Sequence, residues 1–267
     1  MRTTTGTFLG RIAGTVGGVL VALAAQAATL SDLWWNASES GWGANIIEQE
    51  GVLFITFFVY GADGRPAWYV ASNTAIVANS SPRRYSGPLY VTSGPWFGSA
   101  FNPAQVGIRN VGVVTLVRGW GGRGTLTYSV DGVQIVKNVE RQTWKGIDLD
   151  GTYYGAMAVL SSSTCVIGDA ASKPAPLPWI DVTLGANGTL TMDLTDMTGM
   201  TLTVSGPYVQ HGSIYELDGT LDVLGNMGTA RLRDLTADDA SIHGVLSLEG
   251  DLNCQLDVRF AGARADG

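Results

Sequence analysis

Beyond residue 28 the apolar residues recur with a period of two along most of the chain. Tyr215, Leu217, Gly219, Leu221 and Val223 alternate with Glu216, Asp218, Thr220 and Asp222. Ile242, Gly244, Leu246 and Leu248 alternate with His243, Val245, Ser247 and Glu249, and Leu252–Phe260 continues the pattern. Thr152–Leu160, Thr189–Thr195, Met200–Ser205 and Leu126–Val130 read the same way. Side chains of a strand point to opposite faces in turn, so this period predicts strands with one buried and one wet face. No window past the first segment carries a helical stripe. The 36 glycines follow no period of three, which excludes a collagen-like chain.

Short strands need tight turns, and the turn residues are in place. Asp131-Gly132 separates Leu126–Val130 from Val133–Val139, the pairing that favours a type I′ hairpin. Ala62-Asp63-Gly64-Arg65-Pro66 separates Leu53–Tyr60 from Ala67–Val70. Successive hairpins of this kind predict an all-β fold of two antiparallel β-meander domains, small up-and-down barrels, with a β-sandwich or one continuous sheet as alternatives. Val52–Tyr60 stands apart, because Leu53, Ile55, Phe57 and Val59 form one apolar face and Val52, Phe54, Phe58 and Tyr60 the other. A strand apolar on both faces is expected to be buried on both.

The first 27 residues read as a targeting segment. Arg2 and Arg11 precede an apolar run from Ile12 to Ala25, and Ala25-Gln26-Ala27 offers small residues at a cleavage site. The run is short and glycine-interrupted for a bilayer span. An exported protein is expected, periplasmic or extracellular, with no stable membrane insertion. Charge then divides the rest. Residues 28–147 hold nine basic and seven acidic residues, whereas 148–267 hold five and sixteen. Seven of the eight tryptophans precede residue 148. The expected domains are therefore a Trp-rich 28–147 and an acidic 148–260, with a disordered tail over 261–267. A chain with so few basic residues and a pI near 4.7 is no candidate for nucleic-acid binding.

Both cysteines, Cys165 and Cys254, fall in the acidic half. In an exported chain an even count implies a disulfide. Cys254 lies on the inward phase of the last strand and Cys165 just past the first, so a bridge would staple the seam of a closed barrel.

The order Asp32-Leu33-Trp34-Trp35-Asn36-Ala37-Ser38-Glu39-Ser40-Gly41-Trp42-Gly43 is distinctive. It is followed by Gly64-Arg65-Pro66-Ala67-Trp68-Tyr69, Tyr85-Ser86-Gly87-Pro88-Leu89-Tyr90 and Gly124-Thr125-Leu126-Thr127-Tyr128. Residues 31–144 resemble a module found in exported proteobacterial proteins with a D-L-W-W-N-x-x-E-S-G-W-G opening. The resemblance implies export and a β-rich fold, and no catalytic residues.

No G-x-S-x-G, H-E-x-x-H, C-x-x-C or P-loop occurs, so no catalytic, metal or cofactor site is expected. Gly119-Trp120-Gly121-Gly122-Arg123-Gly124 matches G-x-G-x-x-G, but a strand pattern follows it where dinucleotide binding needs a helix. His211 and His243 read as surface residues. Asp148, Asp150, Asp234, Asp238 and Asp239 read as solvated turn acids, without the spacing of a calcium loop. The aromatics remain. Trp34, Trp35, Glu39, Trp42, Trp68 and Tyr69 form the candidate ligand site, with rings for stacking and one carboxylate acceptor, unless the rings fill the core. The expected function is noncatalytic binding of a small molecule, glycan, lipid or protein. The alternatives are a hydrolase pairing Glu39 with a second carboxylate, and a protease-inhibitor-like small barrel.

Overall fold

In the computed structural model residues 29–163, 174–238, 240–250 and 254–265 are described. They form two closed, antiparallel, eight-stranded barrels, as the alternation predicts. The targeting segment and Cys165 lie outside the described residues.

The first barrel runs β1 (Asp32–Trp35), β2 (Gly43–Gln49), β3 (Val52–Tyr60), β4 (Pro66–Ile76), β5 (Arg84–Ser93), β6 (Gly107–Arg118), β7 (Arg123–Val130) and β8 (Val133–Arg141). Each strand pairs with the next. The barrel closes where Trp34 stands opposite Arg141 and Trp35 opposite Glu140. The Asp131-Gly132 turn has positive φ at both residues, 48° and 87°, as a type I′ hairpin requires.

The core follows from the pleat. Leu53, Ile55 and Phe57 of β3 point inward and are fully buried, with Ile46, Leu89, Leu116 and Leu126 beside them. Their outward neighbours correct the two-faced reading of β3. Val52, Phe54, Phe58 and Tyr60 remain 39%, 42%, 50% and 59% exposed. A closed barrel buries only its inner face, so an apolar outer residue stays at the surface unless something covers it.

The second barrel runs β9 (Gly151–Ser163), β10 (Ala175–Leu184), β11 (Thr189–Thr195), β12 (Thr201–His211), β13 (Ile214–Val223), β14 (Asn226–Ala237), β15 (Ser241–Gly250) and β16 (Cys254–Arg264). First and last strands are neighbours, with registers from Gln255 opposite Ser163 to Arg264 opposite Tyr153. β16 continues through residues 261–264, where the sequence predicts a disordered tail. Ala261, Gly262, Ala263 and Arg264 all pair with β9, and Arg264 Nη2 donates to the Asp148 carbonyl at 2.8 Å. The small side chains of Ala261, Gly262 and Ala263 suit a seam where the partner backbone lies close, and do not mark an unstructured segment. Leu190, Met192, Ile242, Leu246, Val258 and Phe260 fill the interior.

Of the acids expected in solvated turns, Asp238 serves its own backbone, whereas Asp234 is buried on β14. Asp238 Oδ1 accepts from Ala240 N at 2.9 Å and from Ser241 N at 2.7 Å, which holds its carboxyl below the usual range. His243 takes the outward phase of β15, yet its Nε2 is buried with no hydrogen-bond partner among the described residues. Burial pushes its imidazole below the ordinary value near 6.5, against the pull of Asp238 and Asp234. The folded state therefore resists a proton that the unfolded chain accepts. Below about pH 6.5 the unfolded state binds more protons, so stability falls with falling pH until the folded imidazole also titrates. The melting temperature is expected to drop between about pH 7 and 5, and to drop less in His243→Gln. Equal pH slopes in the two proteins would contradict this assignment.

Candidate functional site

The sequence predicts a platform in the Trp-rich opening, and the structure disperses it. Trp34 is fully buried. Its indole Nε1 donates to the Leu30 carbonyl at 3.0 Å, and the Arg141 guanidinium lies 5.1 Å from its ring centroid. Adjacent strand residues face opposite ways, so Trp35 takes the outer side and is half-buried. Trp42 packs against the core from the β1–β2 loop. Its Nε1 donates to Tyr128 Oη at 3.1 Å, and the two rings stack at 6.5 Å. Burial raises the Tyr128 hydroxyl above its ordinary pKa, with the donated indole hydrogen bond opposing. Tyr69 is also half-buried against this core, whereas Trp68 lies outside on β4, 52% exposed and opposite Phe58. Glu39 is committed to an ion pair with Lys137, whose ammonium lies 5.9 Å from the Trp42 ring centroid. Trp34, Trp42 and Tyr69 thus belong to the barrel filling, and Glu39 to the clasp over it.

A different part of the same barrel forms an open cleft of about 770 Å³. One wall is the outer surface of β7 and β8. Val139 and Leu126 point inward there, so Arg123, Thr125, Asn138 and Glu140 point outward. Register places Arg123 opposite Glu140 and Thr125 opposite Asn138. The Asn36–Ser38 end of the β1–β2 loop forms a second wall. Asn36 Oδ1 fixes it by accepting from Ser38 N at 3.0 Å and Ser38 Oγ at 2.7 Å. The β6–β7 turn closes one end and carries Trp120, 61% exposed. Gly119 N donates to the Arg123 carbonyl at 2.9 Å, and Gly121 and Gly122 have φ of 64° and 72°. Those left-handed angles let a tight turn present a large ring without a second bulky side chain beside it.

None of the six ligand residues expected from the sequence lines this cleft. The residues that do are ordinary strand-surface types, and their grouping depends on register. One signal was available. Trp120 stands among glycines in a turn, where a ring has no core to enter. The volume lies within the range of small-molecule sites, roughly 300–1,000 Å³. The Asn138 amide and Thr125 hydroxyl beside one open indole can hydrogen-bond a polyhydroxylated ligand while the ring covers an apolar face. The His211 ring holds Glu140 at 3.1 Å and Arg123 at 2.7 Å at the edge of that row.

No family model and no curated protein matches the chain. Among solved structures, a putative outer membrane protein from Bacteroides fragilis is similar over 87% of this chain and 94% of its own, at 16% identity and a TM-score of 0.31. A likeness of that degree carries no functional argument.

Proposed function

We propose that the protein is an exported, noncatalytic binding protein and that the first barrel takes a glycan in the Trp120 cleft. The carrying observation is the exposed indole set beside the outward row Arg123, Thr125, Asn138 and Glu140. Sugar rings offer an apolar C–H face and a rim of hydroxyls, and this arrangement complements both. The hydrolase alternative needs two carboxylates flanking the bond to be cleaved. The cleft lining contains one, Glu140, and Glu39 is held by Lys137. That favours binding without cleavage. The apolar interior of each barrel is a packed core, unlike the polar lumen of a membrane channel, which favours a barrel that does not span a bilayer.

A glycan screen followed by calorimetry tests the reading. Trp120→Ala is expected to weaken binding by about 1 kcal/mol or more, as truncation of an energetically important interface aromatic does, and to leave the melting temperature unchanged. Binding that survives the substitution, or hydrolysis of the bound glycan, would count against it.

Export also bears on the cysteines. The last described pair of the second barrel's seam, Gln255 opposite Ser163, adjoins Cys254 in sequence and stands two residues before Cys165. We propose that these two cysteines form a disulfide across that seam. Titration of the denatured, unreduced protein should find no free thiol, and two free thiols would refute the bridge.

A further inference from the structure

The β5–β6 connection carries an apolar tip that the cleft does not use. It lies at the other end of β6 from Trp120. Trp96, Phe97 and Phe101 are 69%, 95% and 74% exposed, and the Trp96 and Phe97 rings sit 5.6 Å apart. From Tyr85 to Ile108 the chain has no Asp, Glu, Lys or Arg. The first charge beyond it, Arg109, is paired with Asp131 at 2.5 and 3.0 Å. The loop also satisfies part of its own polar inventory. Ser99 N and Oγ both donate to the Trp96 carbonyl, at 3.0 and 2.8 Å. Asn102 caps the short 3-10 turn Pro103–Gln105, accepting from Ala104 N on its side chain and from Gln105 N on its carbonyl.

We propose that this tip inserts into the interfacial zone of an uncharged or zwitterionic lipid layer, anchoring the protein peripherally. Exposed Trp and Phe favour that zone, and internal hydrogen bonds lower the cost of bringing backbone polar groups there. Charge decides the lipid class. A tip with no cations, next to a neutralised Arg–Asp pair, has nothing to attract anionic headgroups. Its shape favours lipid over a protein partner. Stable protein interfaces bury roughly 1,600 Å² across a broad patch with a polar rim, whereas here three rings project on one narrow, uncharged loop.

The test uses the whole purified protein and phosphatidylcholine vesicles, with and without brominated acyl chains. The protein should sediment with the vesicles equally at about 50 and 500 mM salt, because no screened attraction is involved. Brominated lipid should quench part of the tryptophan emission. Trp96→Phe should still sediment but lose most of that quenching. Replacing Trp96, Phe97 and Phe101 together by serine should reduce partitioning about tenfold or more, since it removes the buried apolar area. No sedimentation, undiminished binding by the triple variant, or binding abolished by salt would each overturn the proposal. Glycan binding at Trp120 is measured separately and stands or falls independently.

Discussion

Replacing Trp34 by alanine is expected to remove about 3 to 5 kcal/mol of stability, the usual cost of deleting a fully buried large aromatic. Three losses coincide at this residue. The ring is fully buried, and its removal leaves a cavity that a closed barrel wall is poorly placed to collapse. The Leu30 carbonyl loses the indole N–H that it accepts. The buried Arg141 guanidinium, paired with Asp32 at 3.4 Å, loses the ring face beneath it. Urea unfolding followed by far-UV dichroism and tryptophan emission would measure the change. A loss under about 1 kcal/mol would mean that Trp34 does not fill the barrel.

The second large effect is expected at Gly155. This residue lies on β9, opposite Gly262 on β16, at the seam that closes the second barrel. A Cβ here would stand 1.9 Å from the Ala261 carbonyl oxygen and 2.7 Å from Gly262 Cα. Those are backbone atoms, so no rotamer change relieves the clash. Gly155→Ala should therefore force the two strands apart and cost about 3 kcal/mol or more, at or above the upper end of ordinary overpacking. A glycine in an exposed turn gives the comparison. A Cβ added at Gly188 would meet no described atom within 4 Å, although the φ of 77° there still strains alanine. If Gly155→Ala melts with the wild-type protein, the seam is not packed as described.

The barrels were legible in the sequence because alternation reports directly on the pleat. Leu190, Met192 and Leu194 alternate with Thr189, Thr191 and Asp193, and every one of those three apolar side chains is buried. Asp131-Gly132 announced its hairpin through a backbone requirement that few other pairs meet. The Val52–Tyr60 strand shows the limit of this reasoning. Its pattern gave the inner face correctly, but an apolar outer face says only that burial would be favourable, not that a partner exists. Residues 261–264 show another limit. Ala261-Gly262-Ala263 has little side-chain signal, and its strand character comes from neighbours on both sides.

The site was less legible than the fold. A cluster of rings in sequence gave Trp34, Trp42 and Tyr69, which share a role in filling one barrel. The cleft draws on the β1–β2 loop, the β6–β7 turn and strand β8, and register brings Thr125 beside Asn138 and Arg123 beside Glu140. The two-residue Asp131-Gly132 turn fixes the β7–β8 register, so those pairs follow from the hairpin. What no local pattern announces is the closure of β1 onto β8, which brings the β1–β2 loop beside that row.

The most direct test of the glycan-binding assignment is a titration followed by the indole N–H signals in a nitrogen–proton spectrum. Each tryptophan reports separately. Adding a bound glycan should shift the Trp120 signal progressively, while that of Trp34, donating to the Leu30 carbonyl within the core, stays fixed. A shift confined to Trp68 or Trp96, or a bound glycan that leaves Trp120 unmoved, would contradict the assignment of this cleft as the binding site.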